Sequence, residues 1–206
     1  MAGLLGKKIG MTSIYSSDGI VIPVTAIEAG PCKIVSIRNK NKDGYEALVV
    51  GFGEKKEKNV NKPLLGLFNK AKVAPAAKLK EFKNYDVSAY KVGDDLTVEL
   101  FAEGDKVKIS SKSKGKGFQG VVKRHGFSGV GGQTHGQHNR ERAPGSIGQS
   151  SWPSRVFKGT RMAGRHGYSK VTVSNLKVVK VIPEKNIILI KGAIPGAINS
   201  IVEINK

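Results

Sequence analysis

Cysteine is almost absent from this chain: Cys32 stands alone, which excludes a disulfide framework and a cysteine metal cluster. A single free cysteine suits a reducing, cytoplasmic compartment. Acids are scarce as well, 16 against 35 lysines and arginines, for a formal charge of +19. So sparse a supply of carboxylates leaves little for general acid–base catalysis or oxygen-ligated metals. Long hydrophobic runs are missing. The longest, such as Ile187 to Ile190, are strand-sized and far too short to cross a bilayer. The first residues, Met1 to Lys8, lack the apolar core of a signal peptide. Tryptophan occurs once, as Trp152.

What is present is concentrated. Between Ser111 and Lys170 lie Lys112, Lys114, Lys116, Lys123, Arg124, Arg140, Arg142, Arg155, Lys158, Arg161, Arg165 and Lys170, against one acid, Glu141. All four histidines, His125, His135, His138 and His166, fall in the same stretch, with Trp152 and recurrent glycine. From Gly126 onward no apolar periodicity lasts long enough for an ordinary helix or strand. Such a segment cannot bury enough apolar surface to offset the entropy of ordering its backbone. It stays disordered or is ordered by a polyanion. Clustered cations, glycine, histidine and aromatics are the footprint of a nucleic-acid binder. Membrane-surface binding fits worse, because the cations do not lie on an amphipathic helix.

The rest reads as β structure. Residues 8–15 and 20–27 form two strands across Asp18-Gly19, the signal of a type I′ hairpin. Residues 34–37 and 45–52 suggest a second pair across 41–44. Pro75 followed by residues 76–82 suggests a short helix, with Leu79 and Phe82 facing a core. Strands are expected again at 96–101, 107–109, 171–181, 187–190 and 201–204. Short strands with frequent turn signals favour a closed or nearly closed barrel. Residues 126–169 interrupt it, and loops that long are usually functional or disordered.

Several motifs invite chemistry. Gly115-Lys-Gly117-Phe-Gln-Gly120 has the form of a dinucleotide fingerprint. No second strand follows within residues 126–150, and lysines interrupt the glycines, so a nucleotide-dependent enzyme is disfavoured. The glycines would instead let backbone N–H groups approach the phosphates of a nucleic-acid backbone. A helix over 118–125 would anchor through Phe118, Val121 and Val122 and leave Lys123 and Arg124 facing phosphate. His135, His138 and Glu141 lack zinc-motif spacing, so imidazoles contacting bases, ribose or phosphate are expected rather than a metal. No catalytic set is visible. Gln149 to Pro153 reads as a loop tip. There Trp152 either stacks on RNA or folds back on the protein body.

At these residues the chain resembles the family of universal large-subunit ribosomal protein three, in its bacterial form. Gly6-Lys7-Lys8-Ile9-Gly10-Met11-Thr12 resembles the N-terminal signature. Phe101 through Arg124 resembles the central one. Pro144 to Gln149 and Val156 to Gly164 resemble the two arms of a loop. The resemblance implies a mostly β fold: a translation-factor-like barrel with a small inserted α+β element and a long non-globular extension. The division it implies is a discontinuous barrel body at 1–61, 92–125 and 170–206, an insert at 62–91 and an extension at 126–169. It implies a structural, early-assembling constituent of the large subunit in the cytoplasm, bound to 23S rRNA near its 3′ end. The extension would reach toward the peptidyl transferase centre, and large-subunit proteins fourteen and nineteen would be neighbours. No cofactor, membrane or small-molecule substrate is implied. The RNA-binding residues expected are Lys7, Lys8, Lys112, Lys114, Lys116, Lys123, Arg124, His125, His135, His138, Arg140, Arg142, Gln149, Trp152, Arg155, Lys158, Arg161, Arg165 and His166.

Two departures stand out. Lys108 replaces the usual Asp or Asn of the central signature, which adds a cation. Ser151 occupies the position of a glutamine that some relatives methylate, so no such methylation is expected, with Gln149 as the alternative. The alternative to a ribosomal protein is a free nucleic-acid chaperone or architectural protein.

Overall fold

The computed structural model describes residues 3–83, 85–133 and 135–206. The chain divides into two compact units, 1–113 with 170–206, and 114–169. In the first unit the strands are, in chain order, β1 (Gly3–Tyr15), β2 (Val21–Ala29), β3 (Cys32–Arg38), β4 (Ala47–Glu54), β5 (Ala76–Phe82), β6 (Asp95–Leu96) and β7 (Lys106–Lys112). The second unit contributes β8 (Phe118–Gln119) and β9 (Gly164–Arg165). The first unit then resumes with β10 (Lys170–Ile182), β11 (Ile187–Lys191) and β12 (Ile201–Asn205). The fold is mostly β. Helices are few: α1 (Lys40–Asp43), α2 (Lys62–Ala71) and, in the second unit, α3 (Val121–His125).

Six strands close a barrel in the order β1-β12-β7-β10-β11-β2, antiparallel at every seam. Alternation supplies the interior: Ile27, Ile109, Ile188, Ile190, Val202 and Ile204 are buried. The β1–β2 register slips between Lys8 and Gly10, a bulge that lets β1 bend around the barrel. Gly6 permits the closure. A β-carbon there would sit 2.8 Å from the Glu28 carbonyl oxygen and 2.8 Å from Ile27 Cγ2.

The expected hairpin is present, with a different turn. Only Gly19, at φ +74°, takes the left-handed conformation in its loop. The Gly19 N–H donates to the Ser16 carbonyl, and Ser16 N–H to that of Ile20. This is the pattern of a turn followed by a glycine bulge; a type I′ turn would need Asp18 at positive φ too.

The second sheet corrects the sequence reading most. β3 and β4, expected in the barrel body, pair instead in a four-stranded sheet of order β5-β4-β3-β6. The helix expected at 76–82 is strand β5, whose Gly51↔Leu79 and Leu48↔Phe82 pairings hydrogen-bond it along β4. Its lysine- and alanine-rich composition favours helix weakly, and pairing with a formed strand outweighs that preference. The helix lies earlier, at α2, with a proline in its first turn and Phe68 buried. Leu64, Leu67 and Phe68 at i, i+3, i+4 were its signal. The strand expected at 96–101 is the short β6 followed by one 3-10 turn, which buries Val98 and Phe101 three residues apart.

One hydrophobic core runs through barrel and second sheet, joining Leu4, Leu5 and Ile109 to Ile34, Leu48 and Phe82. Two polar groups sit against it. The Tyr85 hydroxyl donates to the Gly3 carbonyl at 2.7 Å and accepts the Gly3 N–H at 2.9 Å. The Cys32 thiol donates to the Leu5 carbonyl at 3.3 Å. Burial pushes both up, each to about 12, from ordinary values of 9.0 for the thiol and 10.0 for the phenol. Both therefore stay neutral in the folded chain when the unfolded chain would ionise. Their contribution is complete below about pH 9 and is lost as pH rises through about 12. Tyr85→Phe should cost about 1–3 kcal/mol at neutral pH by stranding both groups of Gly3. It should also weaken the alkaline loss, because phenylalanine has no proton to release. Urea unfolding of both proteins at about pH 7 and about pH 11 would check the two effects together.

Candidate nucleic-acid interface

The second unit, 114–169, is built almost without a core. Among its described residues Val121 is the one buried apolar side chain. Its regular structure is the two-stranded ribbon β8–β9, pairing Phe118 with Arg165 and Gln119 with Gly164, and the single helix α3. The ladder continues beyond the ribbon: Lys116 N–H donates to the His166 carbonyl at 2.9 Å, and His166 N–H to the Gly117 carbonyl at 2.8 Å.

These facts correct two expectations. The helix begins at Val121, and Phe118 lies on the ribbon, 77% exposed, rather than on an anchoring helical face. Arg124 is not left to face outward: its guanidinium donates to the Met162 carbonyl at 2.6 Å, and His125 Nε2 lies 3.0 Å from the same oxygen. Together they hold the returning chain against α3. Gly164 makes room for this, since a β-carbon there would fall 2.7 Å from Arg124 Nη1.

Elsewhere the cations point outward. Lys114, Lys116, Lys123, Arg140, Arg142, Arg155, Lys158, Arg161 and Arg165 are exposed, as are His135, His138 and Gln149. His166 is half-buried. Trp152 is 83% exposed. Phe157 is exposed beneath the Arg155 guanidinium, 5.3 Å from the ring centre. Phe118, Trp152, Phe157 and Tyr168 thus present aromatic surface to solvent along one charged segment.

Of the expected residues in the first unit, Lys112 is exposed and Lys7 half-buried. Lys8 is a correction. It is only 7% exposed, and its ammonium donates to the carbonyls of Ile194 and Gly196 at 3.0 and 3.2 Å. Lys8 lies ahead of the bulge, on the buried face it shares with Leu4 and Gly6, so its charge fixes the loop before β12 and is not available to phosphate. Sequence position beside Lys7 concealed this, because the carbonyls that Lys8 meets come from the loop before β12, far along the chain.

Exposed cations, bare aromatic rings and a backbone rich in glycine are the features that the class of nucleic-acid-binding proteins presents to its ligand. Comparison with known proteins narrows the class. Residues 79–184 match the family model described as Ribosomal protein L3. The large ribosomal subunit protein uL3 of Chloroherpeton thalassium is 54% identical, over 99% of this chain and 98% of the relative. That of Chlorobium limicola is 52% identical over the same shares. The chain belongs to the ribosomal protein L3 family, a family of ribosomal proteins rather than of enzymes.

Proposed function

We propose that this chain is a structural constituent of the large ribosomal subunit that binds 23S rRNA directly and joins the particle early in assembly. The observation that carries the reading is the second unit itself, which combines exposed cations with one buried apolar side chain. Its backbone also holds His135, Ser154 and Tyr168 at positive φ, a conformation costing side chains of this kind about 1–3 kcal/mol each. Packing within the unit supplies little to offset that cost. RNA phosphates laid along the cations would supply it, and the protein charge would in turn relieve repulsion between packed RNA helices.

On this reading 126–169 is the extension, entering rRNA toward the peptidyl transferase centre, and the six-stranded body is a barrel of the translation-factor type. Lys112, Lys114, Lys116, Lys123, Arg140, Arg142, Arg155, Lys158, Arg161 and Arg165 are the phosphate contacts, with His135, His138 and Trp152 on bases or ribose. Large-subunit proteins fourteen and nineteen are the proposed neighbours. Sedimentation tests the reading. Epitope-tagged chain should travel with the large subunit at one copy per particle and persist through a moderate salt wash. Chain remaining at the top of the gradient would favour a free RNA chaperone instead.

A further inference from the structure

We infer that the second unit carries a docking pocket for one unstacked nucleobase, formed by Phe118 and Tyr168 over a floor of glycine backbone. The inference rests on the RNA-binding reading above and adds the chemistry of one contact to it. The pocket has a volume of about 540 Å³ and is lined by Gly115, Gly117, Phe118, Arg165, His166 and Tyr168. That is within the size range of small-molecule sites and roomy for a base with its sugar.

Its construction is specific. The two backbone segments that make it are tied by the hydrogen bonds between Lys116 and His166 and between His166 and Gly117. Gly167, at φ +74°, lies so close to the Lys114 carbonyl that no β-carbon would fit. This close approach carries the chain into Tyr168, itself at φ +54°, a conformation an aromatic residue seldom takes. A β-carbon on Gly115 would touch Tyr168 Cβ at 3.6 Å, so the floor beside the ring stays bare because residue 115 is glycine. The Arg165 guanidinium sits 5.2 Å from the Tyr168 ring centre and braces it. Phe118 directly opposes Arg165 across the ribbon.

Two aromatic rings are thus held on a tied ladder yet left 77% and 54% exposed. Arg165 lines the pocket, Lys114 and Lys116 flank its Gly115 in the chain, and Glu141 is the sole acid between Ser111 and Lys170. The matching ligand is a flat apolar face joined to phosphates, which is a nucleotide. Because the cations continue along the chain on both sides, the nucleotide belongs to a polymer whose base is unpaired at that point.

The test uses the full-length protein and two probes of equal charge, an adenylate octamer and an octamer of abasic ribose phosphate. Wild-type protein should prefer the adenylate probe. Tyr168→Asn keeps a residue that tolerates the left-handed backbone, and Phe118→Ser removes the other ring. Each should reduce the preference by roughly 5- to 100-fold with the salt dependence unchanged, since stacking and not charge is removed. Full preference in both variants would overturn the pocket while leaving RNA binding intact. Failure of wild-type protein to bind either probe would overturn the RNA reading itself. Adenosine monophosphate binding as tightly as the octamer would reassign the pocket to free nucleotides. Should the variants misfold, a 4-thiouridine oligonucleotide crosslinked to wild-type protein decides: crosslinks must map to the peptides holding Phe118 or Tyr168, and their absence rejects the assignment.

Discussion

Replacing Arg140, Arg142, Arg155 and Arg161 with alanine is expected to weaken rRNA binding and flatten its salt dependence together. The four guanidiniums are exposed, and none of them supports the core. Each phosphate contact releases condensed counterion and contributes about 0.7–0.9 to the log–log slope, so four lost contacts remove roughly 3 from it. The deficit against wild type would then shrink by about 60-fold between roughly 50 and 200 mM salt. Filter binding to a 23S rRNA fragment across that range would measure both quantities. An unchanged slope with a fully folded variant would mean that the body, and not the cationic segment, makes the main contact.

Gly6→Val is expected to be the most damaging single substitution in the barrel. Its β-carbon would meet backbone, the Glu28 carbonyl oxygen at 2.8 Å and Ala29 Cα at 3.2 Å, so no side chain can turn aside to admit it. The β1–β2 ladder itself must shift, and with it the seam that closes the barrel. Overpacking of side chains costs about 1–3 kcal/mol; backbone in the way should bring this to about 3 kcal/mol or more, a fall of about 10 °C in Tm. Gly66→Ala, inside α2, is the control. Nothing lies within 4 Å of its added carbon, and the exchange should stabilise the helix by about 0.5–1 kcal/mol. Thermal unfolding of the two variants beside wild type would check the contrast. Equal loss in both would refute the steric account of Gly6.

Local pattern carried much of this fold, and it failed where partners came from far along the chain. β2, β10 and β11 were legible because apolar residues recur between clear turn signals. β5 was not, because its residues resemble a helix and become a strand only beside β4. Whether β3 and β4 join the barrel or a second sheet is decided by contacts such as Cys32↔Leu96 and Leu48↔Phe82, which no window of sequence displays. The charged segment was legible from composition alone, since charge and glycine act without tertiary context. Its inner contacts were not: nothing in the spacing of Arg124 and His125 announces that both would hold the Met162 carbonyl. Lys8 was misread for a related reason: it faces inward with Leu4 and Gly6, and the Ile194 and Gly196 carbonyls that hold its ammonium come from the far end of the chain.

The rung Lys112↔Lys170, where β7 meets β10, has a consequence for how this protein can vary. Departure and return of the intervening chain occur side by side on one ladder, like the two legs of a stitch. The entropy of joining neighbouring legs rises only with the logarithm of the span between them, by about 0.6 kcal/mol for each doubling. Residues can therefore be gained or lost in the span without pulling on the strands that frame it, and its length can change while the barrel stays closed.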